Sequence, residues 1–286
     1  MATATIKTVE KRRMCPNCRA FITITDRVCP YCNVQLGPRA VDMRGSEFIA
    51  SFLPRANLTA VIIVAINVAF FLVELAVNYR LYKSFDIQVA VGIALGAEIA
   101  PYVQHGQWWR LLTAGFLHGG FLHIALNCWS IFVLVTEVEQ FYGTSRLLVA
   151  YIFSTFTGFL CAYLFSPGGW VVGASAPAFG MIGIMLAMGL RQRADPLSQA
   201  VRSHYGQWLI FGLVMSLGGG ISMAGHIGGC IGGFLVGLIA GLPGLPGTPR
   251  EAFWKGAAVF GVLIMLYAWV ESLRFFSPAI RAMTNT

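Results

Sequence analysis

The sequence predicts an all-α polytopic membrane protein, on grounds of composition, segment length and residue pattern. Hydrophobic residues make up 57% of the 286-residue chain and charged residues only 11%, whereas about 25% of the residues of a soluble domain are charged. A bilayer core of about 30 Å requires about 20 mostly apolar residues per helix. The apolar windows do not alternate with polar residues as barrel strands do. We expect seven spanning helices, at about residues 58–77, 118–138, 147–166, 174–190, 207–221, 224–242 and 255–273.

The segment before the first span predicts the orientation of the chain. Residues 1–13 lack the apolar core of a signal peptide, so we expect the N-terminus to stay in the cytoplasm. With seven spans, 15 of the 20 Lys and Arg residues then lie on the cytoplasmic side, as the positive-inside rule requires. The net charge of +8 therefore indicates topology and not nucleic-acid binding, because the basic residues are dispersed along the ends of the spans. A bacterial inner membrane fits this composition, and an organelle membrane is the alternative.

Residues 1–45 are predicted to form a separate cytoplasmic unit, zinc-ribbon-like, that binds a structural zinc ion. Two C-P-x-C motifs, separated by ten residues, place four thiolates within reach of one tetrahedral Zn²⁺, and the loop is too short to bury a core without metal. Redox-active CxxC pairs are the alternative, but such pairs begin a helix after a strand. A linker, residues 46–57, follows, and a protein partner that docks on the unit is one interpretation of its presence. The predicted ligands are Cys15, Cys18, Cys29 and Cys32.

Ser175 is the first candidate for chemistry inside the spans, where polar side chains are costly and usually functional. It lies in G-A-S-A-P-A-F-G, Gly173 to Gly180, at the start of a predicted span. A serine in this place either caps the helix or acts as a nucleophile exposed by small neighbours, with backbone N–H groups nearby for an oxyanion. The motif alone does not decide between these interpretations.

His226 favours the nucleophile interpretation of Ser175. It lies in a span in which glycine recurs every four residues from Gly225 to Gly241, and such a stripe lets another helix approach until the backbones nearly touch. The span that begins near Ser175 has small residues at similar spacing. His226 is then expected beside Ser175, as a general base must be. The alternative is a histidine that only makes an interhelical hydrogen bond.

His123 and Asn127 are candidates for binding an oxyanion. They are four residues apart, hence on one helical face, and each offers a hydrogen-bond donor. His118 precedes His123 by five residues and is expected on another face in a structural role. No acidic residue stands near Ser175 or His226 in the sequence, so the predicted catalytic unit is a Ser-His dyad without a carboxylate.

These motifs together resemble the rhomboid family of intramembrane serine proteases. The resemblance covers about residues 58–242, which we expect to form a six-helix core, followed by a loop, a seventh helix and a tail over residues 243–286. The N-terminal unit is an addition to the family pattern. Four features occur in the family's order: W-W-R from Trp108, H-G-G-x-x-H-x-x-x-N from His118, G-A-S-x-x-x-F-G from Gly173 and G-H-I-G-G from Gly225.

The resemblance implies catalytic roles for four matched residues. Ser175 is the nucleophile, His226 is the general base, and His123 and Asn127 contribute to the oxyanion site. The family usually has glycine directly after the nucleophile, and this chain has Ala176 there. The added methyl group is expected to narrow the space for the oxyanion.

The resemblance also implies supporting roles. Phe179 follows the nucleophile by four residues and is expected to pack on the catalytic histidine. Arg110 is expected to form a structural pair with Glu139. His118 and Gly173 belong to the matched motifs. Because water must reach an acyl-enzyme, we also expect a polar cavity, open to the outer side and lined by His118, His123, Asn127 and Ser175.

The predicted function is hydrolysis of the transmembrane helices of single-span membrane-protein substrates in the lipid bilayer, without a catalytic cofactor. An inactive rhomboid-like pseudoprotease that binds membrane helices is the alternative, although a binder has no need of the complete set of catalytic residues. A transporter would require charged residues at mid-membrane or paired broken helices, and neither stands out in the sequence.

Overall fold

The computed structural model describes residues 12–15, 17–23, 26, 28–35, 58–166, 168–191, 195–218, 220–245 and 247–284. The chain forms two compact units, Met1–Leu53 and Pro54–Thr286. In the first unit, β1 (Arg12–Met14) pairs antiparallel with β2 (Phe21–Thr23), so that Arg12 lies opposite Thr23. The small core of this unit contains Cys15, Ile22 and Cys29.

In its described residues the second unit consists of helices and a short antiparallel pair of strands, β3 (Glu98–Ile99) and β4 (Trp170–Val171). Short 3-10 turns occupy Ala114–Phe116 and Ser216–Gly218. The helices are α1 (Leu58–Tyr82), α2 (Val89–Leu95), α3 (Ala100–Gln104), α4 (Arg110–Thr113), α5 (Phe121–Phe165), α6 (Ser175–Arg191), α7 (Pro196–Met215), α8 (Met223–Ala240) and α9 (Pro249–Thr284).

The helices confirm the predicted fold class, a helical bundle of the multi-pass membrane type. Within the described residues, α1, α5, α8 and the Pro249–Phe276 part of α9 are long and apolar enough to cross a membrane, and Ser175–Leu190 of α6 is apolar but shorter. The 45-residue α5 is broken at Gly143, whose φ of 71° and ψ of 164° are not helical. Its two arms correspond to the two separate spans predicted at 118–138 and 147–166.

The helix of the fifth predicted span, 207–221, begins before that span and is not among the described helices that are long and apolar enough to cross a membrane. Residues 191–206 lie between two predicted spans, but α7 already begins at Pro196. The Asp195 side chain caps this helix by accepting a hydrogen bond from the Ser198 N–H at 2.9 Å, and proline at the first helical position is favourable. Hydropathy alone missed this start because the first turns of α7 are polar.

Glycines bring α6 and α8 together, as their spacing predicts. A Cβ atom on Gly233 would collide with the backbone of Gly180, and one on Gly229 with the backbone of Ala176. A Cβ on Gly237 would lie 2.7 Å from the Ala187 Cβ. The two backbones are therefore in direct contact, which is the small-residue packing typical of membrane helices.

Helix α9, which contains the seventh predicted span, is bound to the rest of the bundle by polar contacts near its start and in its second half. Near its start, Glu251 binds Arg146 of α5 in a bidentate ion pair with distances of 2.7 and 2.8 Å. Near its other end, the Ser272 hydroxyl donates to the Leu95 carbonyl at 2.9 Å. A bidentate Arg–carboxylate pair that is largely buried holds its geometry more firmly than an exposed pair does.

Candidate functional site

Ser175 is presented to a cavity by a strained turn that precedes α6. Gly173 has a φ of +124°, a conformation that residues with a side chain rarely adopt, and its N–H donates to the Ala114 carbonyl at 3.0 Å. Helix α6 begins at Ser175 itself, so Ala174 is the N-cap residue. The hydroxyl of Ser175 is therefore not used to cap the helix. The half-buried Ser175 lines a cavity of about 600 Å³.

His226 lies in the first turn of α8 and lines the same cavity as Ser175. Its ring stacks on Phe179, with ring centroids 4.1 Å apart and planes at 13°. Phe179 lies one helical turn after Ser175, so the stacking fixes His226 against the helix that carries the serine. Among the residues that line the cavity, all of which are described, none is acidic.

His123, near the start of α5, also lines the cavity, and its hydrogen bonding assigns its tautomer. The Gly119 N–H donates to His123 Nδ1 at 3.3 Å. A backbone N–H can only donate, so Nδ1 accepts, and in the neutral ring Nε2 carries the proton. A Cβ atom on Gly173 would lie 2.5 Å from Nε2, so only glycine leaves room there. His123 therefore offers an N–H donor beside the turn that precedes Ser175.

Asn127, one turn further along α5, is not among the residues that line the cavity, in contrast to its prediction, but it lies beside the same glycine turn as His123. Its side chain is 6% exposed, and its Nδ2 has no hydrogen-bond partner among the described residues. The position of a Cβ on Gly173 would be 3.4 Å from this Nδ2. A buried amide donor without a partner is costly, so this Nδ2 is available to an acceptor that a bound molecule would supply.

His118 differs from its prediction as a cavity-lining residue. It is fully buried and is not among the residues that line the cavity, and its ring centroid is 5.2 Å from that of His123. Its backbone N–H donates to Glu74 Oε2 of α1 at 2.9 Å. Glu74 is a fully buried carboxyl group in the first span, which the sequence analysis overlooked although a lone acidic residue in an apolar helix is visible in the sequence.

The predicted pairing of Arg110 with Glu139 is wrong. Arg110 Nη1 donates to the carbonyl oxygens of Ile93 and Ala97 at 2.8 and 2.7 Å, so this guanidinium closes the loop between α2 and α4. Glu98 is the carboxylate neighbour of Arg110. Burial raises the pKa of Glu98 and the positive charge of Arg110 lowers it, with a net rise to about 7. Burial also lowers the pKa of Arg110 to about 10.

Glu139 instead joins α1 to α5. Its Oε1 accepts hydrogen bonds from the hydroxyls of Thr59 at 2.5 Å and Thr144 at 2.6 Å. Glu139 therefore keeps a structural role, but its partners are hydroxyl groups beside the break in α5. Motif order alone could not predict Thr59, which is 80 residues away in the sequence, as a partner of Glu139.

The cysteine cluster of the first unit consists of two turns with the same hydrogen bonding. In the first turn, Arg19 N–H donates to the Cys15 carbonyl and Cys15 N–H to the Ala20 carbonyl; in the second, Asn33 and Cys29 repeat this pattern, with Val34 as the acceptor. The residue after each motif has a positive φ, 60° at Arg19 and 56° at Asn33. Two matching turns of this kind present two sulfurs each toward one centre.

The sulfur positions fit a tetrahedral metal ion. The four Sγ atoms, those of Cys15, Cys18, Cys29 and Cys32, lie within 4.8 Å of one another. Two of the sulfur pairs are 3.7 and 3.6 Å apart, and a tetrahedron with Zn–S bonds of about 2.3 Å has edges of about 3.8 Å.

One contact of His226 involves a residue for which the sequence gives no signal. The Oγ atom of Ser216 lies 2.6 Å from His226 Nδ1. Ser216 is ten residues before His226 and belongs to no motif. The connection between α7 and α8 contains no pattern that predicts its conformation, so this contact is evident only from the structure.

The chain is similar in sequence to known rhomboid proteins. The family model of the Rhomboid domain matches residues 105–242. The chain is 36% identical to "Rhomboid protease GluP" of Bacillus subtilis over 53% of this chain, but over only 30% of that protein's length. It is 36% identical to "Putative rhomboid protease YdcA" of B. subtilis, over 48% of this chain and 69% of that one. It is 33% identical to "Rhomboid-like protease 3" of Toxoplasma gondii, over 68% of this chain and 76% of that one.

Proposed function

The chain belongs to the rhomboid family, and on that premise we propose that it is an intramembrane serine protease with Ser175 as nucleophile and His226 as general base. The observation that supports this proposal most is the shared cavity, onto which Ser175, His226 and His123 all open. The stacking of His226 on Phe179 holds the base against the helix of the nucleophile. A protein that only binds helices has no need of this constellation.

The proposed reaction is acyl transfer in two steps. His226 takes the proton of the Ser175 hydroxyl as Oγ attacks the scissile carbonyl carbon, and the carbonyl oxygen becomes an oxyanion. His123 Nε2–H and the Asn127 amide stabilise that charge. The protonated His226 then gives its proton to the departing amine, which leaves an acyl-enzyme on Ser175. Water, deprotonated by His226, hydrolyses the acyl-enzyme and regenerates the hydroxyl.

The rim of the cavity supports membrane-embedded substrates. Phe121, Leu122 and Leu126 line the cavity and are 57%, 73% and 57% exposed. An apolar rim of this kind is stable in lipid and fits the side chains of a transmembrane helix. We therefore propose single-span membrane proteins as the substrate class, cut where their helix enters the cavity, and a bacterial inner membrane as the location.

Covalent labelling of Ser175 tests the proposal directly. A fluorophosphonate probe should label the detergent-solubilised protein at Ser175, and Ser175→Ala should lose the label, because the probe reacts only with a serine that a base activates. Ser222 lines the same cavity but accepts a hydrogen bond from the Gly225 N–H at 3.1 Å. Ser222→Ala should therefore keep the label. A folded wild-type protein that remains unlabelled would support the helix-binding pseudoprotease instead.

The methyl group of Ala176, which is expected to narrow the space for the oxyanion, belongs to the cavity lining but packs mostly against α5. This side chain is 4% exposed, and a Cβ on Gly158 of α5 would lie only 2.6 Å from the Ala176 Cβ. The methyl group thus packs in the space that Gly158 leaves free. Where the family usually has glycine after the nucleophile, this chain has Ala176, and Gly158 on the neighbouring helix provides the space for its methyl group.

We also propose that the four-cysteine cluster binds one structural Zn²⁺. All four ligands are thiolates, so no coordination position remains for a catalytic water. Purified protein should contain about one zinc per chain, and replacement of Cys15 and Cys18 by serine should remove it. A chelator should unfold the unit without stopping intramembrane cleavage. Loss of cleavage after removal of residues 1–45, with the helices still folded, would contradict a purely structural role.

A further inference from the structure

We propose that Ser216 is a positioning residue that holds His226 in the tautomer that leaves Nε2 free to act as a base. The inference rests on the proposed dyad, and it adds a neutral third member to it. Ser216 lies at the end of α7, is 5% exposed, and its Oγ is 2.6 Å from His226 Nδ1. His226 and Ser216 therefore meet in a buried place where a hydrogen bond has no competition from water.

The direction of this hydrogen bond follows from the single proton of the Ser216 hydroxyl. Ser216 Oγ also lies 2.7 Å from the Gly212 carbonyl oxygen. A carbonyl oxygen can only accept, and two oxygens at this distance repel unless a proton lies between them. The hydroxyl proton is therefore directed to Gly212. Toward His226 the Ser216 oxygen can then only accept, so Nδ1 carries the ring proton.

The assigned tautomer has a direct consequence for catalysis. With the proton on Nδ1, the lone pair of His226 lies on Nε2, which is the atom that must take the Ser175 proton. When His226 becomes positively charged, the Nδ1–H bond to Ser216 persists and strengthens, because its donor is now charged. A hydroxyl thus orients the base, as the carboxylate does in a triad, but without placing a negative charge in the membrane.

The two histidines of the cavity have opposite tautomers. The Gly119 N–H forces the proton of His123 onto Nε2, whereas Ser216 forces the proton of His226 onto Nδ1. One ring is therefore a donor toward the cavity and the other an acceptor. An oxyanion site and a general base need these two opposite states.

The first experiment measures the tautomer itself. Protein labelled with ¹⁵N-histidine, reconstituted above the pH at which His226 is charged, should show His226 protonated at Nδ1. The His226→Ala variant assigns its signals. In Ser216→Ala the His226 signals should shift toward a mixture of the two tautomers, while those of His123 stay unchanged. An unchanged His226 tautomer in Ser216→Ala would overturn the inference.

The second experiment measures hydrolysis of a fluorogenic transmembrane substrate in proteoliposomes. Ser216→Ala should lower kcat about 10-fold with KM within about twofold, since the hydroxyl acts on the base and not on the substrate. Ser216→Thr keeps the hydroxyl and its bond to Gly212, and should restore most of kcat. Ser130→Ala is the matched control, because Ser130 donates to the Leu126 carbonyl four residues back at 2.8 Å but lies outside the cavity.

These readouts separate failure of the inference from failure of the proposed function. A wild-type protein that is not labelled at Ser175 and does not hydrolyse substrate refutes the proposed protease, while the histidine spectrum still decides whether Ser216 sets the tautomer. Full kcat in Ser216→Ala refutes the inference alone. Loss of activity in Ser216→Thr equal to that in Ser216→Ala, with an unaltered His226 tautomer in both, also refutes it and assigns Ser216 to packing.

Discussion

Ser175→Ala, His226→Ala and the double variant should be nearly equally inactive, each with a rate about 10⁶-fold below that of the wild type, the loss seen when a serine protease loses its nucleophile or base. A serine hydroxyl is a weak nucleophile until a base takes its proton. Among the described residues that line the cavity, His226 is the one candidate for that base, because His123 presents its protonated Nε2. Residues that act as one unit are not additive, so the second substitution should cost little.

The measurement is hydrolysis of a single-span substrate by purified protein in proteoliposomes, with thermal unfolding as the test of folding. His204→Ala is a suitable control, because His204 lies on α7 outside this cavity and interacts with Trp208 through a 3.2 Å hydrogen bond. It should keep wild-type activity. If His226→Ala retained most of the activity while Ser175→Ala did not, the base would have to be another group.

Substitution of His123 or Asn127 should lower kcat about 10²- to 10³-fold with little change in KM, the effect of removing one oxyanion donor. We expect kcat and not KM to change because both donors lie beside Gly173, where they would bind the oxyanion. That negative charge develops only in the transition state. His123→Ala removes the Nε2–H donor, and Asn127→Ala removes the buried Nδ2 that lacks a partner among the described residues.

His105→Ala provides the control for these two variants. His105 is exposed, and its Nδ1 lies 2.6 Å from the Pro101 carbonyl, away from the cavity lining. Its replacement should leave both kinetic constants unchanged. An effect of Asn127→Ala that is confined to KM would instead assign this residue to helix packing or substrate binding.

The packing of α6 on α8 could be predicted from the sequence because its cause is local and periodic. Glycine at every fourth residue from Gly225 marks one face of a helix, and only a close helix neighbour explains such a face. The same holds for the cysteine unit, where each C-P-x-C motif contains the turn that presents two sulfurs. In both cases a pattern within one short segment predicts which residues make the contact.

Contacts between distant segments could not be predicted in this way. The order of motifs suggested that Arg110 pairs with Glu139, yet Arg110 donates to the carbonyl oxygens of its own loop. A guanidinium satisfies its donors equally well on carbonyl groups, so sequence alone cannot choose its partner. Ser216 is the converse case, since serine at the end of a helix is common and nothing in the sequence connects it with His226.

The direct contact of the α6 and α8 backbones also determines which positions of this protein can be altered by engineering. A Cβ atom on Gly229 or Gly233 would collide with the backbone of α6, so a larger residue at either position has no rotamer that avoids the collision. Positions without any chemical function should therefore rank among the least replaceable in a saturation library. Selection for new substrates has more freedom at Phe121 and Leu122, whose exposed side chains form the rim.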